Sequence, residues 1–151
     1  MKIYEFKAKQ ELPISQEEAW EFLSNPKNLQ KIMPSSMGFQ IVSGANQTMY
    51  AGQIIQYKVT PLPGFKTKWV TEITQVKKPF YFVDIQLDGP YKLWHHKHFI
   101  HPTDQGVIIE DIVHYAVPFG WLGSALHPFI IRPKLEEIFT NRVEKMNQLF
   151  K

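Results

Sequence analysis

Tyr91-Lys92-Leu93-Trp94-His95-His96-Lys97-His98-Phe99-Ile100-His101 and, beyond a turn at Thr103-Asp104-Gln105-Gly106, Val107-Ile108-Ile109-Glu110-Asp111-Ile112-Val113-His114-Tyr115-Ala116-Val117 are the two segments that decide the fold. Both are rich in β-branched and aromatic residues, and the polar turn between them is too short for anything but an antiparallel hairpin. Strand parity puts Trp94, His96, His98 and Ile100 on one face and Leu93, His95, Lys97, Phe99 and His101 on the other. On the second segment Asp111, Val113 and Tyr115 oppose Glu110, Ile112 and His114. Parity alone does not choose the inner face. Lys97 and His101 suit solvent better, so Trp94, His96 and His98 are assigned inward, where pairing brings them within reach of Asp111.

Upstream, extended patterns cover residues 38–43, 50–60, 67–76 and 80–87. Turn signals at Ser43-Gly44-Ala45-Asn46, Pro61-Leu62-Pro63-Gly64, Lys77-Lys78-Pro79 and Asp88-Gly89-Pro90 separate them. Residues 2–12 alternate as well, Tyr4, Phe6, Ala8 and Leu12 against Glu5, Lys7, Lys9 and Glu11, which predicts a half-buried first strand ended by Pro13. Ser15-Gln16-Glu17-Glu18 reads as a capping box, and Asn25-Pro26 as the cap and first residue of a second short helix closed by Pro34.

At the C-terminal end the period changes. Leu135, Ile138, Phe139, Arg142, Met146, Leu149 and Phe150 fall on one stripe, opposed by Glu136, Glu137, Asn141, Glu144 and Lys145, which predicts an amphipathic helix over 134–150. Pro128 and Pro133 each remove an amide donor, so 119–133 is predicted as a looser or kinked lead-in. The order is strand, two short helices, six strands, long helix: an α+β fold with about seven antiparallel strands. One helix about 10 Å across covers only part of such a sheet, and a sheet curved around it leaves a gap lined by aromatic groups.

Composition narrows the function. The 151 residues suit one domain spanning 1–151, and without cysteine there is no disulfide, thiolate metal site or cysteine nucleophile. The net charge of +3 comes from scattered lysines and only two arginines, Arg132 and Arg142, so no basic run exists to track a phosphate backbone and nucleic acid is not an expected partner. The start of the chain lacks a signal-peptide apolar run, and no stretch reaches the roughly 18 apolar residues of a membrane span, so a cytoplasmic protein is expected. No serine elbow, phosphate-cradling loop or dinucleotide fingerprint occurs.

On element order the chain resembles the START-like (SRPBCC) superfamily, which includes the major birch pollen allergen, lipid-transfer START domains and polyketide cyclases. A bacterial single-domain subgroup of unknown function is closer. Trp69, Phe82-Val83-Asp84, Gly89-Pro90-Tyr91-x-x-Trp94-x-His96-x-His98-Phe99, Asp111, Tyr115, Pro118, Gly120 and Leu122-Gly123 carry that resemblance. It implies a helix-grip fold whose cavity, between sheet and C-terminal helix, takes a hydrophobic or amphipathic small molecule such as a lipid, quinone or polyketide-like compound. Trp69, Phe82, Trp94, His96, His98, Asp111, Tyr115 and Phe139 are the expected lining, aromatics for area and His and Asp for anchoring a polar end.

A His-Asp pair also orients an imidazole as a general base. The alternative is therefore a cyclase or dehydratase with His96 or His98 as base and Asp111 as orienter; the plainer reading has the histidines filling polar gaps. A metal needs three or four donors converging at about 2 Å. His96 and His98 lie roughly 7 Å apart along a strand, and a third ligand would be Asp111 or His114, so neither metal nor cofactor is expected. The apolar loops Pro61–Phe65 and Pro118–Gly123 either rim the pocket, touching a membrane transiently or docking a partner or second copy, or fold back to plug the sheet ends. Monomer and homodimer both remain open.

Overall fold

β-branched runs cut by proline and glycine build one seven-stranded antiparallel sheet in the order β1-β7-β6-β5-β4-β3-β2. The computed structural model describes residues 1–151. The strands are β1 (Tyr4–Leu12), β2 (Gln40–Ser43), β3 (Gln53–Leu62), β4 (Phe65–Lys77), β5 (Tyr81–Asp88), β6 (Leu93–Thr103) and β7 (Gly106–Ala116). β1 packs on β7 with Tyr4 opposite Tyr115 and Leu12 opposite Val107. Register shifts in the β2–β3, β3–β4 and β4–β5 ladders sharpen local twist and help the sheet curve.

Between β1 and β2 lie α1 (Gln16–Leu23), a 3₁₀ turn at Pro26–Asn28 and α2 (Leu29–Ile32). Ser15 Oγ accepts the Glu18 amide at 3.1 Å, and Asn25 Oδ1 accepts the Lys27 amide at 3.0 Å, the two caps legible in the sequence. Gly106 (φ 148°) is required where it stands, since a Cβ there would lie 2.1 Å from the Leu12 carbonyl oxygen.

Two details differ from the sequence reading. β6 begins at Leu93 rather than at 91, because the Gln86 side chain takes the backbone of Tyr91: its Nε2 donates to the Tyr91 carbonyl at 2.6 Å and its Oε1 accepts the Tyr91 amide at 3.0 Å. The lead-in to the last helix is itself helical. α3 (Gly120–Leu126) continues through a π turn (His127–Ile131) into α4 (Arg132–Phe150). Widening by one residue lets the Arg132 amide bond to the His127 carbonyl and accommodates Pro128, whose ring would obstruct a regular turn.

α4 crosses the concave face of the sheet. Near its start Leu135 and Phe139 pack with Phe6, Val113 and Tyr115. Near its end Met146 joins Leu12, Trp20, Phe82 and Ile109. A third cluster, Ile55, Tyr57, Val59 and Ile73, lines the far half of the sheet. It faces no part of α4 in that cluster, which leaves the gap the element order predicted. Phe65 and Trp121 remain exposed instead of plugging the sheet ends. No helix is long and apolar enough to cross a membrane.

Met146 is fully buried where helix meets sheet, whereas Leu149 on the next turn is 49% exposed. Met146→Ala is expected to cost about 2–5 kcal/mol and Leu149→Ala less than about 1 kcal/mol, read from urea denaturation midpoints at unchanged m-value.

Candidate functional site

The gap is a cavity of about 190 Å³, lined by 29 residues of which 19 are hydrophobic, so burial of apolar surface dominates whatever occupies it. Ile55, Tyr57, Val59 and Ile73 supply the sheet wall, Leu29, Ile32 and Met33 the short-helix wall, and Leu135, Ile138 and Phe139 the α4 wall. Trp69, Tyr91 and Trp94 close one side, Trp69 edge to face with Trp94 at 5.3 Å and Tyr91 tilted against Trp94 at 4.8 Å.

One part of the wall is polar. His96 and His98 stack ring on ring at 3.6 Å, and Phe82 stacks on the other side of His98 at 4.1 Å. In the ladders His96 stands opposite Asp84 and His98 opposite both Phe82 and Asp111. The hydrogen bonds run to the diagonal partners: His96 Nε2 to Asp111 Oδ1 at 2.8 Å and His98 Nε2 to Asp84 Oδ2 at 2.5 Å. Diagonal neighbours lie within reach of long side chains, and leaning along the strand brings the two rings into contact. From α4, Arg142 Nη1 reaches Asp111 Oδ1 at 3.4 Å. Thr71 Oγ1 donates to the Ile85 carbonyl at 2.8 Å and sits 3.5 Å from Asp84 Oδ1.

Protonation follows from the surroundings. Burial raises the Asp111 carboxyl, but the Arg142 guanidinium and the His96 hydrogen bond outweigh it and hold it well below the usual carboxylate range. Burial also raises Asp84, and the His98 hydrogen bond reverses that to a net lowering. Burial and the neighbouring His96 push His98 down to about 4, so it is neutral at pH 7. A neutral His98 beside an ionised Asp84 carries its proton on Nε2. Its Nδ1 is then a bare lone pair, buried, without a hydrogen bond and 3.5 Å from Asp111 Oδ1. His96 bonds Asp111 through Nε2. The cluster thus sets two carboxylates, Asp84 and Asp111, against the Arg142 guanidinium and the two imidazoles.

Six of the eight residues expected from the sequence, Trp69, Phe82, Trp94, His96, His98 and Phe139, line the cavity. Asp111 lies one layer behind the histidines. Tyr115 is fully buried, its hydroxyl 2.6 Å from His127 Nε2. His101 and His114 point outward and pair with Glu110 and Glu5. Asp84 and Arg142 carry roles the sequence reading did not assign. Both had a signal: Asp84 shares strand parity with Phe82, and Arg142 sits on an apolar helical stripe, where a cation demands a buried counter-charge.

The residues able to hold a cation are Asp84, His96 and His98, with one donor atom each within 4.8 Å of one another. This is not the set considered from sequence: Asp111 is occupied by His96 and Arg142, and His114 is on the outer face. Each imidazole is engaged through Nε2 with a carboxylate, His96 with Asp111 and His98 with Asp84.

No protein-family model and no curated protein matches the chain by sequence. By structure it is similar to TTHA0849 from Thermus thermophilus, with 12% identity over 97% of this chain and 99% of that one and a TM-score of 0.72. It is also similar to ginseng major latex-like protein 151 from Panax ginseng, at 8% identity over 99% and 98% of the two chains with a TM-score of 0.71. Ara h 8.0201 superposes at 12% identity over 95% and 97% with a TM-score of 0.59. The likeness is one of architecture, a curved antiparallel sheet gripping a long C-terminal helix, the helix-grip fold expected from the sequence.

An unfolded histidine protonates near its ordinary value of 6.5, while folded His98 stays neutral down to about 4. Between these values the unfolded state binds more protons, so stability falls as pH drops through the interval. The stabilisation from Asp84 and Asp111 persists above the ordinary carboxyl value of 3.8 and is lost as pH falls below it. His98→Asn is expected to flatten the pH dependence of unfolding free energy between pH 6.5 and 4 by up to about 1.4 kcal/mol per pH unit, measured by denaturation at a series of pH values. An unchanged slope would contradict the buried neutral imidazole.

Proposed function

We propose that this chain, as one START-like ligand-binding domain over residues 1–151, binds a hydrophobic or amphipathic small molecule between the sheet and α4. The observation that carries this reading is a mostly apolar cavity whose polar wall is the stacked His96–His98 pair, with one buried nitrogen, His98 Nδ1, left without a hydrogen bond. An apolar body fills the space between Ile55, Val59 and Ile138, and a hydroxyl or other donor on its polar end bonds to the imidazole pair. Lipids, quinols and polyketide-like phenols or enols share that chemistry. The START-like fold of the structural neighbours supports it at the level of architecture.

Native mass spectrometry and thermal shift against these three compound classes test the proposal. Ile138→Trp, on a half-buried position of the cavity wall, is expected to fill the space and weaken binding of any hit at least tenfold while the fold persists. His96→Phe is expected to weaken hydroxyl-bearing hits by about 1–3 kcal/mol relative to their methyl ethers, the cost of an unmade buried hydrogen bond. If no compound from any class binds, the reading fails.

A second reading rests on the 2.8 Å His96–Asp111 contact. An imidazole oriented by an ionised carboxylate is a general base, and His96 Nδ1 would accept a proton from a carbon next to a ligand carbonyl, leaving an enolate as the first step of a cyclisation or dehydration. Exchange of that carbon-bound hydrogen with D₂O, followed by NMR on a bound ketone, is expected to be accelerated by the native protein and not by His96→Gln. Equal rates would leave binding alone.

A further inference from the structure

From Pro118 to Ile131 the chain reads Pro-Phe-Gly-Trp-Leu-Gly-Ser-Ala-Leu-His-Pro-Phe-Ile-Ile, without one charged residue. It is a surface segment. Phe119, Trp121 and Phe129 are 80%, 81% and 77% exposed, and Leu122, Leu126 and Ile130 are exposed beside them. Only Gly123 and His127 are buried within the helical part. The underside is rigidly seated. His127 stacks on Tyr4 at 3.7 Å and bonds the Tyr115 hydroxyl, and a Cβ at Gly123 would meet the Pro118 carbonyl oxygen at 1.9 Å. Phe119 holds the left-handed conformation at φ 69°, a costly state for a bulky residue, and presents its ring to solvent.

Antiparallel alternation gathers further apolar groups at this same end of the molecule. β1 starts where β7 ends, so Met1 and Ile3 lie beside the segment. The β3–β4 turn contributes Leu62 and Phe65, and the end of β5 contributes Leu87. Eleven of the sixteen exposed large hydrophobic side chains are therefore at one pole. Soluble surfaces scatter such groups singly, and a contiguous patch marks an interaction site.

Charge identifies the occupant. Lys2, Lys66 and Lys92 surround the pole, all exposed and none in an ion pair. Lys68 is matched by Asp88, and Arg132 and Lys134 by Glu136 and Glu137. No acidic group at this end lacks a cation, so the rim carries net positive charge around an aromatic and aliphatic centre. A second copy of the same pole would oppose like charges around its rim. An anionic bilayer complements both features: Trp, Phe and Leu enter the headgroup boundary while lysines meet lipid phosphates.

We propose that this pole docks on an anionic phospholipid surface, with Phe119, Trp121 and Phe129 inserted and Lys2, Lys66 and Lys92 at the headgroups. The docking stands independently of what the cavity binds. It also sets the cavity close to the bilayer, since Lys134 and Leu135, three and four residues beyond the segment, line its wall, as does Pro61 beside the β3–β4 turn.

Co-sedimentation with vesicles tests it. The full chain is expected to partition onto phosphatidylcholine vesicles containing phosphatidylglycerol, to bind pure phosphatidylcholine more weakly, and to be released by added salt. Trp121→Ser/Phe129→Ser and, separately, Lys66→Glu/Lys92→Glu are each expected to lower partitioning at least ~10-fold with unchanged circular dichroism, because all four side chains are exposed. Ile138→Trp is expected to bind vesicles normally, which separates failure of docking from failure of the cavity reading. Three results would overturn the proposal: no sedimentation with either vesicle, variants that sediment like the native chain, or a homodimer in light scattering that Trp121→Ser/Phe129→Ser dissociates.

Discussion

Arg142 of α4 inside the sheet's concave face, 3.4 Å from Asp111, is the contact around which the rest is organised. Buried charges are tolerated only when compensated, and here the compensation runs through three strands. Asp111 on β7 is held by Arg142 and His96, and Asp84 on β5 by His98, with both histidines on β6. Breaking any one partner strands a charge in low dielectric. The network therefore locks helix to sheet at one position, with Phe139 on the adjacent turn packed against Phe6 at 4.9 Å.

That lock and the limited width of a helix together produce the cavity. α4 covers β1, β7 and β6 closely enough to bury Val113, Tyr115 and Ile109, while the Ile55–Ile73 half of the sheet is left to the short helices. What the helix does not fill remains open, and the imidazole pair forms part of its wall. Structural demands and the cavity wall thus fall on the same side chains: the carboxylates that stabilise the helix-sheet contact also hold the His96 and His98 rings through Nε2 and leave His98 Nδ1 without a partner.

Much of this is legible in the sequence. Strand alternation from Tyr4 to Leu12, the Ser15 and Asn25 caps and the stripe from Leu135 to Phe150 are local patterns, and local physics enforces them. Reach of a histidine to Asp111 was legible because a hairpin with a four-residue turn leaves little freedom of register. Asp84 was harder to place, since its role depends on β5 pairing with β6 and on two diagonal bonds that no parity rule assigns. The helical course of 120–131 was missed for a related reason: two prolines argue locally against helix, while a π turn and the Tyr4–His127 stack argue for it.

Period, caps and turn chemistry act over a few residues, so the chain's own order of residues was enough to specify about seven strands, two short helices, one long one and the shared face of Trp94, His96 and His98, but not which way that face turns. The partners of those histidines, the counter-charge for Arg142, the volume left under α4 and the gathering of apolar side chains at one pole belong to contacts between residues far apart in sequence. Those distances are set by sheet curvature and by where one helix comes to rest, and only the folded chain contains them.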